Sequence, residues 1–296
     1  MSVLSSYLNH NYAKGDAQRD AGLATPKDIR RYDDLSYGPD RKWQLLDIYR
    51  PEDCEDLLPV ILIVHGGAWI YGDKDTYQYY GMSLAQRGFA VVNFTYHLAP
   101  QFRYPAQIED IDLVMTFIKE NAEQYKLDLN NIFAAGDSAG GQLLSAYTAL
   151  LKDEQYRSYY DIDLQDELYF NAIALNCGVY HVENRRHDQV FPIMKEVLKK
   201  GFSTTDLQMF NTFDKVTDSF PPVFLMSCEG DYLLDQVNYL QPSLQTHQIP
   251  YELHIYGDET NILWHDFHIN IRLKDAEICN SEECAFFRKY MKGNGQ

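Results

Sequence analysis

The chain has 296 residues, 45% of them hydrophobic and 23% charged, which is enough apolar material for a sizeable core. Its net charge of −17 argues against nucleic acid or an anionic membrane surface as a partner, since both would repel it. No apolar run approaches the ~20 residues that a membrane-spanning helix needs, and the first thirty residues lack the basic start and apolar stretch of a secretory signal.

Short apolar runs alternate with longer amphipathic stretches, the pattern of a mostly parallel sheet covered by helices. Residues 1–35 are polar and precede the first expected strand. WQLLDIY (43–49) reads as a half-buried strand, and PVILIVH (59–65) as a continuous apolar one of the kind found in the middle of a parallel sheet. GFAVVNFTY (88–96) is the next strand. A helical pattern follows Pro105, then a strand at 131–136 and a helix at 140–151. Residues 171–178, 221–230 and 250–257 supply three more strands, with a helical stretch between the last two. A final helix lies near 282–292. No linker or repeat divides the chain, so a single domain over 1–296 is expected, with 1–35 as an N-terminal segment. Residues 179–219, which include the helical FPIMKEVLKKGF, are expected to be a cap insertion.

Gly136-Asp137-Ser138-Ala139-Gly140-Gly141 fits Gly-x-Ser-x-Gly at the junction of an expected strand and an expected helix. A serine on so sharp a turn needs a strained backbone, and glycines at −2 and +2 remove the side chains that would clash. Its Oγ then stands above the sheet at a helix N-terminus, which favours developing negative charge. Ser138 is the candidate nucleophile. His65-Gly66-Gly67-Ala68-Trp69 follows the apolar strand, and such a turn leaves amides aimed at open space. Gly67 and Ala68, with Ala139 after the nucleophile, are the candidate oxyanion donors. His65, at the strand end, is assigned a structural role.

The acid is expected after a late strand, where Glu229, Asp231 and Asp235 are available; Asp231 lies just past the strand end and is favoured. The base is expected after the next strand, where His265 and His268 are both available. His254 falls inside a strand pattern and is read as structural. The five cysteines are odd in number and irregularly spaced, which suggests reduced thiols in a cytoplasm and no disulfide framework. Cys279 and Cys284 match no metal-binding spacing, so neither a metal nor an organic cofactor is expected.

HGGAW (65–69), YHLAP (96–100) with Pro105 and Glu109-Asp110, GDSAGG (136–141), the acid loop and His265-x-Phe267 together resemble the hormone-sensitive-lipase-like carboxylesterases over roughly residues 42–290. The resemblance implies an α/β-hydrolase fold with a small cap. It also implies Ser138 as nucleophile, Asp231 as acid, His265 as base, and Gly67, Ala68 and Ala139 as oxyanion donors. Two positions depart from the family pattern. Ala68 stands where a third turn glycine is usual, and Asp231 is followed by Tyr-Leu-Leu-Asp where Pro-Leu is usual.

HGG-x-W also occurs in kynurenine formamidases and in bacterial feruloyl or acetyl-xylan esterases. The expected activity is hydrolysis of short-chain acyl esters through an acyl-enzyme, with a carbohydrate esterase or a formamidase-like amidase as the alternatives. The expected partner is a small-molecule ester, and a homodimer is compatible with these readings. Tyrosine clusters at Tyr77, Tyr79 and Tyr80 and at Tyr156, Tyr159 and Tyr160 suit either stacking on a sugar or phenolic ring or ordinary helix packing.

Overall fold

The computed structural model describes residues 3–160, 162, 164, 168–183, 190–198 and 202–293. Eight strands form one sheet: β1 (Ile29–Ser36), β2 (Leu45–Pro51), β3 (Leu58–Val64), β4 (Ala90–Phe94), β5 (Leu127–Asp137), β6 (Ala172–Asn176), β7 (Val223–Cys228) and β8 (Tyr251–Tyr256). Their order is β1-β2-β4-β3-β5-β6-β7-β8. The β1–β2 and β2–β4 pairs are antiparallel and all later pairs are parallel. This is the α/β-hydrolase fold. Strands β3 to β7 are buried almost throughout, because helices cover both faces and leave no solvent side for polar alternation.

The helices that matter for the site are Gln78–Ala85, Ala106–Glu120, Ala139–Leu150, Val237–Thr246 and Lys274–Lys289. Two clusters of buried apolar side chains fill the space between the sheet and its helices. One includes Val60, Leu62, Leu143 and Leu225, and the other Ile61, Ile63, Phe133 and Phe287. Residues that alternate along β3 therefore serve opposite clusters, as a period of two requires. No helix among the described residues is long and apolar enough to cross a membrane.

Two elements depart from the sequence expectation. The polar segment 1–35 contains a helix, Val3–Asp20, and the start of β1. That helix has no apolar stripe and docks largely through polar contacts, with Leu8 against the core and Tyr12 on Tyr71. Asn9 donates to the Ile70 carbonyl, Arg19 to the Thr76 carbonyl, and Arg272 to the Arg19 carbonyl. Strand β1 is an edge strand with mostly half-exposed side chains, so it lacks the apolar run that marks the others. The last helix starts at Lys274, well before the expected 282.

Candidate active site

Ser138 follows the last residue of β5 and precedes the first residue of the Ala139–Leu150 helix. Its backbone is strained, with φ 51° and ψ −115°. Three main-chain bonds hold it there: its amide donates to Asn176 O at 2.9 Å, and its carbonyl accepts from Val179 and Gln142. Chain crossing at the turn is very close. A Cβ on Gly140 would lie 1.9 Å from the Val64 carbonyl oxygen, and one on Gly136 would lie 2.6 Å from the Gly140 carbonyl oxygen. Only glycine lets β3, β5 and the helix meet at this point.

The structure brings Ser138, His265 and Asp231 into one line. His265 Nε2 is 2.9 Å from Ser138 Oγ, and His265 Nδ1 is 2.7 Å from Asp231 Oδ1. Asp231 is in turn fixed by the Leu233 amide at 2.8 Å and by Ser227 Oγ at 2.8 Å. Burial opposes the charge on Asp231, but the hydrogen bond and charge of His265 outweigh it and hold the carboxyl below its ordinary range. Glu229 and Asp235, the other two carboxylates of this loop, are exposed.

His268 sits in the 3-10 turn Phe267–Ile269, fully buried, with its ring edge-on to Tyr80 at 5.2 Å. Burial pushes its pKa down to about 4. His65 is also buried. It stacks on Tyr96 at 3.9 Å and bonds its neighbour's carbonyl through Nδ1. His254 lies in β8 beside Glu252 and Glu282.

In the turn after β3, Gly67, Ala68 and Trp69 all have positive φ, at 109°, 52° and 59°. The amides of Gly67 and Ala68 meet no acceptor among the described residues. Ala139 is the first residue of its helix, so its amide has no partner within that helix. The alanine at 68 adopts the left-handed conformation that a third glycine would adopt more easily.

A cavity of about 420 Å³ opens over Ser138. Gly67, Ala68, Tyr232 and His265 line it, together with Tyr12 and Asp16 from the Val3–Asp20 helix. Described residues of 179–219 are not part of this lining. They pack beside it instead, with Phe210 edge-on to Trp69 at 5.0 Å. Two neighbours of the site gave no signal by spacing. Asp137, the variable residue of Gly-x-Ser-x-Gly, is buried and accepts from Tyr77 Oη at 2.5 Å. Asp266, the variable residue of His-x-Phe, has Oδ2 3.1 Å from His265 Nε2.

Donor atoms of Cys177, His265 and Asp266 lie within 4.8 Å of one another. Asp231 and Ser138 already engage both imidazole nitrogens, and burial raises the Cys177 thiol pKa, so the trio forms the wall of this site and is not read as a metal centre. Most of the clustered tyrosines belong to the core, though Tyr79 and Tyr159 are half-buried and Tyr77 lines the cavity. Tyr156 and Tyr160 are buried and donate to the Met209 carbonyl, while buried Tyr80 bonds Glu283.

The chain is similar to known esterases. The chain is 29% identical to an acetyl esterase of Salmonella schwarzengrund over 263 residues, covering 83% of this chain and 76% of that protein. Among solved structures it resembles a phosphonate-inhibited esterase B of Lactobacillus rhamnosis, with a TM-score of 0.85 and 22% identity over 97% of this chain and 94% of the other. An esterase of Pyrobaculum calidifontis superposes with a TM-score of 0.75 at 20% identity, covering 98% and 93% of the two chains. The BD-FAE family model matches residues 46–244, from β2 into the helix before β8. This match takes in the glycine-rich turn, the serine turn and the Asp231 loop, and the chain belongs to the BD-FAE family.

Proposed function

We propose that this chain is a serine carboxylesterase for short-chain acyl esters. Ser138 is the nucleophile, His265 the base, and Asp231 the acid that orients it, while the amides of Gly67, Ala68 and Ala139 receive the oxyanion. The observation that carries this reading is the continuous line from Ser138 Oγ through His265 to Asp231, at 2.9 and 2.7 Å. Nδ1–H donates to Asp231, which leaves Nε2 free to take the serine proton. Ser138 Oγ attacks the ester carbonyl, and the carbonyl oxygen turns towards amides that have no other acceptor among the described residues. The alcohol leaves with the proton from Nε2. Water then repeats the sequence on the acyl-enzyme, so no metal or organic cofactor is required.

The acetyl esterase relative supports a short acyl group. Residues 179–219 are read as a cap insertion, whose Phe210 packs on Trp69 next to the turn. Five free thiols fit a cytoplasmic setting. A formamidase-like amidase would use the same atoms, and a feruloyl or acetyl-xylan esterase would differ only in the alcohol or acyl group bound.

The test is a panel of nitrophenyl esters, acetylated sugars, feruloyl esters and formyl-kynurenine, run on the wild type and Ser138→Ala. Wild type should prefer acetate or butyrate, and the variant should lose on the order of 10⁶-fold in kcat. A fluorophosphonate probe should label only the wild type. Near-normal turnover by the variant would overturn the assignment.

A further inference from the structure

Asp266 stands where a hydrolase imidazole ordinarily meets only its serine. Its Oδ2 is 3.1 Å from His265 Nε2, the nitrogen that also faces Ser138 Oγ at 2.9 Å. If Nε2 carries no proton, its lone pair and a carboxylate oxygen confront each other at hydrogen-bond distance with nothing between them. A proton on Nε2 turns that repulsion into an ion pair.

The position of Asp266 is built, not incidental. Its backbone is left-handed, at φ 57° and ψ 30°. Its Oδ1 is buried with no hydrogen-bond partner among the described residues. Its side chain also hydrogen-bonds that of another carboxyl, Asp137. Two acids can share such a bond only when one holds a proton. Asp137 is the buried one, and burial together with the Asp266 charge keeps it protonated far above the ordinary range. Tyr77 donates to its other oxygen.

We propose that Asp266 is a positioning residue for the base: its carboxylate, held by Asp137, competes with Ser138 for the Nε2–H of His265 and so sets the pH at which His265 begins to act. This inference rests on the reading of His265 as the base. Around the imidazole, Asp231 and Tyr232 face it from the loop after β7, Asp137 and Cys177 from the ends of β5 and β6, and His268 from the following turn. Tyr12 on the Val3–Asp20 helix and Tyr77 face Asp266 itself. Among these, Asp231 and Asp266 are the two carboxylates that contact the ring. Burial disfavours the imidazolium, but Asp266 and Asp231 outweigh it and raise the His265 pKa to about 10. Activity requires the neutral ring, so kcat/KM rises with pH as the imidazolium loses its proton. Removing the Asp266 charge lowers the pKa and moves the rise to lower pH.

The experiment is the pH profile of kcat/KM on a nitrophenyl ester for wild type, Asp266→Asn, Asp266→Gly and Asp137→Asn. Asparagine and glycine both tolerate a left-handed backbone, so loss of the fold is not the expected result of either change. The wild-type rise should lie above the ordinary imidazole range of about 6.5. Asp266→Asn and Asp266→Gly should each lower it by more than about one pH unit, which at low pH makes them roughly tenfold more active than wild type. Asp137→Asn should keep the pH of the rise, whatever it does to the rate, because it leaves the Asp266 charge in place. Titration of the His265 ring protons by NMR should move in parallel. An unmoved rise in a folded Asp266→Gly overturns the proposal. It does so independently of the esterase reading, which fails only if Ser138→Ala stays active.

Discussion

The phenol of Tyr77 joins the glycine-rich turn to the serine turn: it accepts the Gly66 amide at 2.9 Å and donates to Asp137 Oδ2 at 2.5 Å. These two turns follow different strands, β3 and β5, so sheet register alone fixes their spacing only to the last paired residues, Val64 and Gly136. Beyond that point β3 runs into the glycine-rich loop while β5 stays paired to β6 through Asp137, and the Tyr77 bridge links the two. The Gly67 and Ala68 amides and Ser138 Oγ must be matched within a fraction of an ångström for the proposed chemistry, and this buried bridge adds to the main-chain bonds that hold Ser138.

Tyr77→Phe removes only the hydroxyl. It strands the Gly66 amide and takes a donor from Asp137, both buried, at an expected cost of about 1–3 kcal/mol in stability. If the bridge positions the turn, kcat should also fall about tenfold with KM little changed, because the loss bears on the transition state. Thermal melts and initial-rate kinetics measure the two effects separately. A variant with a lowered Tm and wild-type kcat would restrict Tyr77 to a structural role.

The two neighbouring histidines should behave differently. His265→Ala removes the ring that contacts both Ser138 and Asp231, and should lose several orders of magnitude in kcat. His268 is fully buried, and neither ring nitrogen has a partner among the described residues. His268→Ala should therefore open a cavity and lower Tm, at about 2–4 kcal/mol, while kcat/KM stays within about tenfold of wild type. If His268→Ala folds and is the inactive one, the base is misassigned.

At the serine turn, Gly140→Ala should be among the most damaging single-methyl additions in the chain. Its Cβ would stand 1.9 Å from a main-chain oxygen of β3, which cannot move without breaking the sheet. Loss of soluble expression or of all activity is the expected result. Ala68→Gly is the opposite case, since it relieves a left-handed alanine at φ 52°. It should keep wild-type activity within a few fold and change Tm little, because glycine's extra freedom in the unfolded chain offsets the relief.

What was legible beforehand follows physical lines. Strands β3 to β7 announced themselves because burial on both faces demands continuous apolar runs, and the serine turn did so because close chain crossing demands glycine. Position after late strands left Glu229, Asp231 and Asp235, and both His265 and His268, available, and the family's His-x-Phe pattern pointed to His265. The Val3–Asp20 helix was not legible, since it docks largely by hydrogen bonds and carries no apolar period for a sequence to display. Nor was the Asp137–Asp266 contact. It joins residues far apart in sequence through side chains alone, and each of them occupies the variable position of its motif.

Glu283 offers a test of burial energetics away from the catalytic line. It is fully buried on the Lys274–Lys289 helix and accepts from Tyr80 Oη at 3.0 Å and Asn176 Nδ2 at 2.8 Å. Burial raises its pKa to about 7, with the two donors opposing that rise. The folded protein therefore holds a proton that the unfolded chain, with an ordinary glutamate, gives up at lower pH. Between about pH 4.5 and 7 the native state binds more protons than the unfolded state, so stability falls as pH rises through this window and levels off above it. Glu283→Gln keeps the size of the side chain and removes the titration. Denaturant melts from pH 5 to pH 8 should show the wild type losing on the order of 2–3 kcal/mol more than the variant. Parallel curves for the two proteins would mean that Glu283 is charged in the fold, with the Tyr80 and Asn176 donors outweighing its burial.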